Sequence, residues 1–158
     1  MNRGVETMQS FYEAFQKKDI KAMQALYSDS IVFSDPAFGL LEGNEVKAMW
    51  AMLLESGKDL KIEFRNIKAV DEEYVTGEWT AYYTFSKTGN KVVNHIKSFM
   101  RVHEGKIIEH SDAFRLSTWA AQALGFKGWL FGWTNFLKRS VQKQARQSLQ
   151  RYMEKNNL

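Results

Sequence analysis

Three helical stretches followed by four runs of two-residue periodicity predict an α+β fold, with the helices on one face of an antiparallel sheet. The chain has 158 residues, about the length of one domain. It is 44% hydrophobic and 25% charged, which is globular composition. With 14% aromatic residues it is far too apolar for a solvated tail.

The helices come first. Val5, Met8, Phe11, Tyr12 and Phe15 form one stripe over residues 5–17. Asp19 suits an N-cap for a short helix carrying Ile20, Met23, Leu26 and Tyr27. Asp29-Ser30 stops it, and a short strand over 31–34 runs into Asp35-Pro36. Gly39 and Gly43 bracket a loop. Asn44 is placed to cap a third helix with Val46, Met49, Trp50, Leu53 and Leu54, ended by Gly57.

The period then becomes two. Leu60, Ile62 and Phe64 alternate with Lys61, Glu63 and Arg65. In the run 74–85, the face with Val75, Gly77, Trp79, Ala81, Tyr83 and Phe85 is the more apolar and is expected to point inward. Residues 87–90, Lys-Thr-Gly-Asn, read as a hairpin connection. The next run puts Ile96, Ser98, Met100 and Val102 inward, and His95, Lys97 and Arg101 outward. A last strand begins at Ile107. Ser117-Thr118 is placed to cap a helix over 119–124, and a long helix over about 128–155 closes the chain. Its stripe is Leu130, Trp133, Leu137, Val141, Ala145, Leu149 and Tyr152.

Several chemistries are excluded. The absence of cysteine rules out a disulfide scaffold, a thiolate metal site and a cysteine nucleophile. There is no phosphate-binding loop, dinucleotide fingerprint or serine elbow, so no cofactor is expected. His95, His110, Asp35 and Asp112 lack a metal-ligand spacing, so no metal is expected. The start, MNRGVETMQSFYEAF, has acids within its apolar run and does not read as a secretory signal. A cytoplasmic location is expected. Residues 118–158 carry seven Lys/Arg against one acid, Glu154, while 1–117 hold 15 Lys/Arg against 17 acids. The basic end reads as a solvated helix face, with contact to nucleic acid or an anionic membrane as the sharper alternative. No nucleic-acid partner is expected. The aromatic stretch 129–133, Trp-Leu-Phe-Gly-Trp, is expected to be buried against the domain's own sheet. A dimer interface, a pocket lid or a membrane anchor are its other readings.

The final strand carries the candidate chemistry. Ile108, His110, Asp112 and Phe114 share one face by period two, which sends an imidazole and a carboxylate toward the helices. A carboxylate in such a place needs a partner or a raised pKa, so Asp112 is a candidate acid or base, or else a structural group bonded to His110. Asp35 sits at a strand end; it is a turn aspartate unless the sheet curls to bring it near Asp112.

Three stretches carry a family resemblance: FYEAFQKKDIKAMQALYSDSIVFSDP, GNEVKAMW and IKSFMRVHEGKIIEHSDAF. Over about residues 5–116 the chain resembles the nuclear transport factor 2-like superfamily in its SnoaL-like, ketosteroid isomerase-like branch. The resemblance implies a cone, a strongly curved antiparallel sheet wrapped around N-terminal helices, over 1–117. Residues 118–158 would be an extra helical extension packed on the same domain or on a dimer partner. Asp35 in Ser-Asp-Pro resembles the general base of steroid isomerases. Phe11 stands where those enzymes carry Tyr, and Ser98 or Lys97 where they carry a strand acid; the adjacent Tyr12 is expected to point elsewhere. Asp112 resembles the last-strand Asp of limonene-epoxide hydrolases and SnoaL-like polyketide cyclases. Trp79 and Ala81 stand where the hydrolases carry Arg and Asp.

The implied site is an apolar pocket for a small hydrophobic molecule, lined by Phe11, Phe15, Phe33, Trp50, Trp79, Tyr83, Met100 and Phe114. Asp112 would act as base, His110 as its partner and Asp35 as a second carboxylate, for isomerase, cyclase or hydrolase chemistry. The alternative is a non-catalytic ligand-binding or dimeric interaction module. A homodimer is expected.

Overall fold

Asn2 starts the first helix by accepting hydrogen bonds from the backbone N–H groups of Gly4 and Val5. In this computed structural model, which describes residues 2–158, the elements run α1 (Arg3–Gln16), α2 (Ile20–Leu26), β1 (Tyr27–Asp35), β2 (Gly39–Glu42), α3 (Asn44–Ser56), β3 (Lys61–Ala69), β4 (Tyr74–Thr84), β5 (Lys91–His103), β6 (Lys106–Ala113), α4 (Leu116–Leu124), α5 (Phe126–Phe131) and α6 (Asn135–Lys155). Met1, the first residue of the expected 1–117 unit, lies outside the described residues. Asp19 caps α2 as expected, accepting from Ala22 N–H.

The six strands make one sheet in the order β2-β1-β6-β5-β4-β3. Buried side chains from all six strands close over α1 and α3, so the core lies between sheet and helices. Register shifts in the β1–β6, β3–β4 and β5–β6 pairs bend the strands, which curves the sheet around α1.

Several expectations need correction. The sheet is not wholly antiparallel: β1 pairs β6 in parallel, Phe33 opposite His110. The Gly39–Gly43 loop is instead a short strand, β2, which returns along β1. Gly43, not Asn44, is the N-cap of α3, and α4 begins at Leu116 without a side-chain cap. Tyr27 opens β1 rather than ending α2. It shares the inner parity of Ile31 and Phe33, all buried. The last strand's phase holds for His110 and Asp112 but breaks at its start. Arg101 pairs Glu109 and Val102 pairs Ile107, leaving Ile108 as the extra residue. Ile107 is therefore the buried one.

The long terminal helix is broken. Gly132 sits so close to Ser117 and to the Gly128 carbonyl that a side chain there would collide. Thr134 then caps a new helix through Leu137 N–H. α6 lies across the domain: Leu149 enters the main core, joined by Ala145, Tyr152 and Met153. Gln142 donates to the Pro36 carbonyl and Arg146 to the carbonyls of Phe38 and Leu40. α4 packs Trp119 and Ala120 on Val92 of β5. The aromatic stretch before α6 is not buried on the sheet. Trp129 is 68% and Trp133 78% exposed, because α5 meets α4 through Gly128, its one buried residue, which lies against the Ala120 carbonyl.

Leu149 is the only fully buried side chain of α6. Leu149→Ala is expected to lower the unfolding free energy by about 2–4 kcal/mol, read by urea denaturation.

Candidate active site

His110 organises the interior of the cone. Its β6 position and the Met100 pairing across β5 turn the ring toward α1 and α3. The side chain has no solvent exposure. Nδ1 lies 2.7 Å from the Tyr27 hydroxyl, and Trp50 Nε1–H donates to that same oxygen at 2.8 Å. Nε2 lies 2.9 Å from Asp112 Oδ1 and 3.2 Å from Ser98 Oγ. An indole N–H can only donate. The arrangement that uses every proton has Tyr27 accepting from Trp50 and donating to Nδ1, leaving the ring proton on Nε2 to donate to Asp112.

Aromatic rings enclose this chain of bonds. Trp50 stacks on the imidazole with centroids 6.1 Å apart, and Phe11 and Phe33 meet it edge-on at 5.6 and 5.1 Å. Phe15 packs on both Trp50 and Trp79. Of the residues expected to line a pocket, Phe11, Phe15, Phe33, Trp50, Trp79 and Met100 are buried on this inner side. Tyr83, which accepts from Trp119 Nε1–H, and Phe114 are half-buried at its edge. The rings rest on one another. Two hollows among the described residues lie outside this ring packing. One, of about 230 Å³, is on the outer sheet face beside Tyr74, Phe99 and Arg101. The other, of about 490 Å³, lies beneath α6 between Leu41, Arg146 and Met153.

Among the described residues, two donors inside the cone lack a partner, Tyr12 Oη and Trp79 Nε1. Their rings are 6.1 Å apart. Tyr12, which belongs to the apolar stripe of the first helix, is 1% exposed. α1 buries both Phe11 and Tyr12 because the curved sheet covers a wide arc of the helix. Burial, and next the charge of Asp112, push the Tyr12 phenol well above its usual pKa; Ser98 pulls it back without reaching hydrogen-bond geometry. Burial and then Asp112 likewise raise Tyr27, opposed by Trp50. Both phenols therefore stay protonated.

Asp35 closes the end of β1. Its Oδ1 accepts from the N–H groups of Ala37 and Phe38 at 2.9 and 2.6 Å, so the turn role is real. Its pKa is nonetheless pushed up to about 7, chiefly by burial, with a further rise from Asp112; the Phe38 and Ala37 N–H groups and His110 pull it down. The Ser34–Ser111 pairing is what brings the two carboxylates to one end of the cone. His95 faces outward as expected, bonded to Thr80. Among the described residues, no three His, Asp or Glu side chains are grouped to hold a metal ion.

The model of the SnoaL-like domain family matches residues 8–110. This chain is a SnoaL-like protein. No curated protein matches its sequence. Among solved structures, the SnoaL-like chain is similar to a proposed polyketide cyclase from Xanthomonas campestris pv. campestris, at 25% identity and TM-score 0.63, over 76% of this chain and 96% of that one. A proposed polyketide cyclase from Pseudomonas putida KT2440 matches at 22% identity and TM-score 0.61, over 78% and 98%. IdmH, a proposed polyketide cyclase from Streptomyces antibioticus, matches at 20% and 0.63, over 74% and 95%. These neighbours are covered almost whole, whereas about a quarter of the SnoaL-like chain has no counterpart in them.

Tyr27 was missed as a site residue because the helical count absorbed it; its two-residue spacing from Ile31 and Phe33 was the available signal. Tyr27→Phe strips a bond from both Trp50 and His110, and is expected to cost about 1–3 kcal/mol by urea denaturation. Asp35 gives a pH signature. Between 3.8 and about 7 the folded chain holds a proton the unfolded chain has lost, so this group's contribution to stability falls as pH rises through that window. Asp35→Asn is expected to flatten that part of the melting temperature profile and to melt above the parent beyond pH 7.

Proposed function

We propose that this SnoaL-like protein binds a small, largely apolar molecule bearing a carbonyl or enol oxygen inside the cone, and that Asp112 exchanges a proton with it. The observation that carries this reading is the pair of buried, unpartnered donors, Tyr12 Oη and Trp79 Nε1, in the same apolar interior as Asp112. A buried donor without an acceptor is costly, and a ligand oxygen would remove that cost.

The chemistry follows from the charges. Asp112 takes a proton from carbon next to the carbonyl, and the negative charge moves to the ligand oxygen. Tyr12, held protonated, donates a hydrogen bond to that oxygen where charge develops. His110 fixes Asp112 through Nε2–H and is itself fixed by Tyr27. Asp35, with a pKa near neutrality, is suited to pass protons at the open end of the strands. The 25%-identical Xanthomonas protein supports a polyketide-like ketone as the substrate class. Ligand entry requires the rings of Trp50, Phe15 and Trp79 to part.

A second reading is favoured by that same ring packing: a non-catalytic ligand-binding or dimeric interaction module, in which the His110 network only specifies the core. One experiment separates them. Polycyclic phenolic ketones are offered as probes, with binding read by tryptophan fluorescence and turnover by absorbance. The catalytic reading expects Asp112→Asn to abolish turnover while probe affinity stays within about threefold. Binding without turnover in the parent leaves the module reading, and no binding of any probe overturns the interior site.

A further inference from the structure

The chain carries a second surface unrelated to the cone. Phe126, Trp129, Leu130, Phe131, Trp133 and Phe136 are all exposed, six large apolar side chains within eleven residues. Monomeric proteins rarely expose so dense an apolar patch without a partner for it. Phe126 and Trp129 rest on each other at 6.0 Å, and Trp133 Nε1 is bonded back to the Leu130 carbonyl. The side chains are thus supported from behind by α5 and its turn.

Charge says what covers the patch. Between Asp112 and Glu154 the sequence contains no acid. Lys127, Lys138, Arg139 and Lys143 are exposed around the patch, and none makes an ion pair among the described residues. On α6, Phe136, Arg139 and Lys143 follow the i, i+3, i+7 spacing of one helix face. A second copy of this surface would bring like charges together. Nucleic acid would satisfy the charge but leave Leu130 and the phenyl rings of Phe126, Phe131 and Phe136 without apolar cover. A bilayer with anionic headgroups satisfies both features: aromatic side chains enter the interface while Lys and Arg meet the phosphates.

We propose that α5, its turn and the first half of α6 form a peripheral docking surface for anionic lipid membranes. Among the described residues no helix is long and apolar enough to cross a membrane, so the contact is interfacial. It is independent of any activity in the cone.

The test is co-sedimentation of the full chain with vesicles of phosphatidylcholine containing 30% phosphatidylserine, and with pure phosphatidylcholine. Binding to the anionic vesicles is expected, weakened several-fold in raised salt. Trp129→Ser with Trp133→Ser is expected to reduce it at least about tenfold, with an unchanged circular dichroism spectrum and melting temperature, since both side chains are exposed. Lys138→Glu with Arg139→Glu is expected to remove the preference for anionic lipid. No vesicle binding by the parent overturns the proposal. So does equal binding by parent and the double tryptophan variant. A dimer in light scattering that the tryptophan substitutions dissociate assigns the patch to a second copy and overturns it too, as does retention on DNA without vesicle binding.

Discussion

A histidine with no solvent exposure can stay in an apolar core only if both ring nitrogens are satisfied, and the centre of this molecule is arranged around that requirement. Nδ1 is met by a phenol from the first strand, Nε2 by a carboxylate two residues along its own strand. The phenol is oriented in turn by an indole from α3. Three separate elements are therefore tied to one ring by directional bonds, which specify their relative placement more narrowly than apolar packing does. The same ring is a face and an edge for four aromatic neighbours, so polar and apolar constraints agree on one geometry.

That geometry depends on a parallel strand pair in an otherwise antiparallel sheet. With β1 beside β6, Phe33 lies opposite His110 and Ser34 opposite Ser111. Asp35 then ends up at the same end of the cone as Asp112. Without that neighbour and the burial around it, its carboxyl would be an ordinary turn aspartate. The C-terminal extension adds to this end of the molecule: α6 binds the Pro36, Phe38 and Leu40 carbonyls and leaves its aromatic approach segment on the outside. Two solved structures similar to this chain are matched nearly whole, while about a quarter of this chain has no counterpart in them.

Much of this was legible in the residues. Alternation in β4 and β5 gave the inner faces, Asp19 the second helix start, and the parity of His110 and Asp112 their shared inward direction. What misled was local counting near element ends. Tyr27 fits a helical stripe and a strand parity equally well, and only the pairing of β1 decides between them. Ile108 follows the alternation of its strand until a bulge, which no residue pattern announced, gives the inner place to Ile107. The segment around Trp129 looked like core because apolar side chains usually find cover within their own chain.

The amino-acid sequence by itself determined the classes of element, their order, and which side of each strand is apolar, because these follow from short-range periodicity and steric preference. Only the tertiary structure decided the partners: which phenol meets His110, how near Asp35 comes to Asp112, and that the aromatic stretch before α6 faces outward. Those outcomes depend on strand order and sheet curvature, which are set by contacts between residues far apart in the chain and leave no local trace.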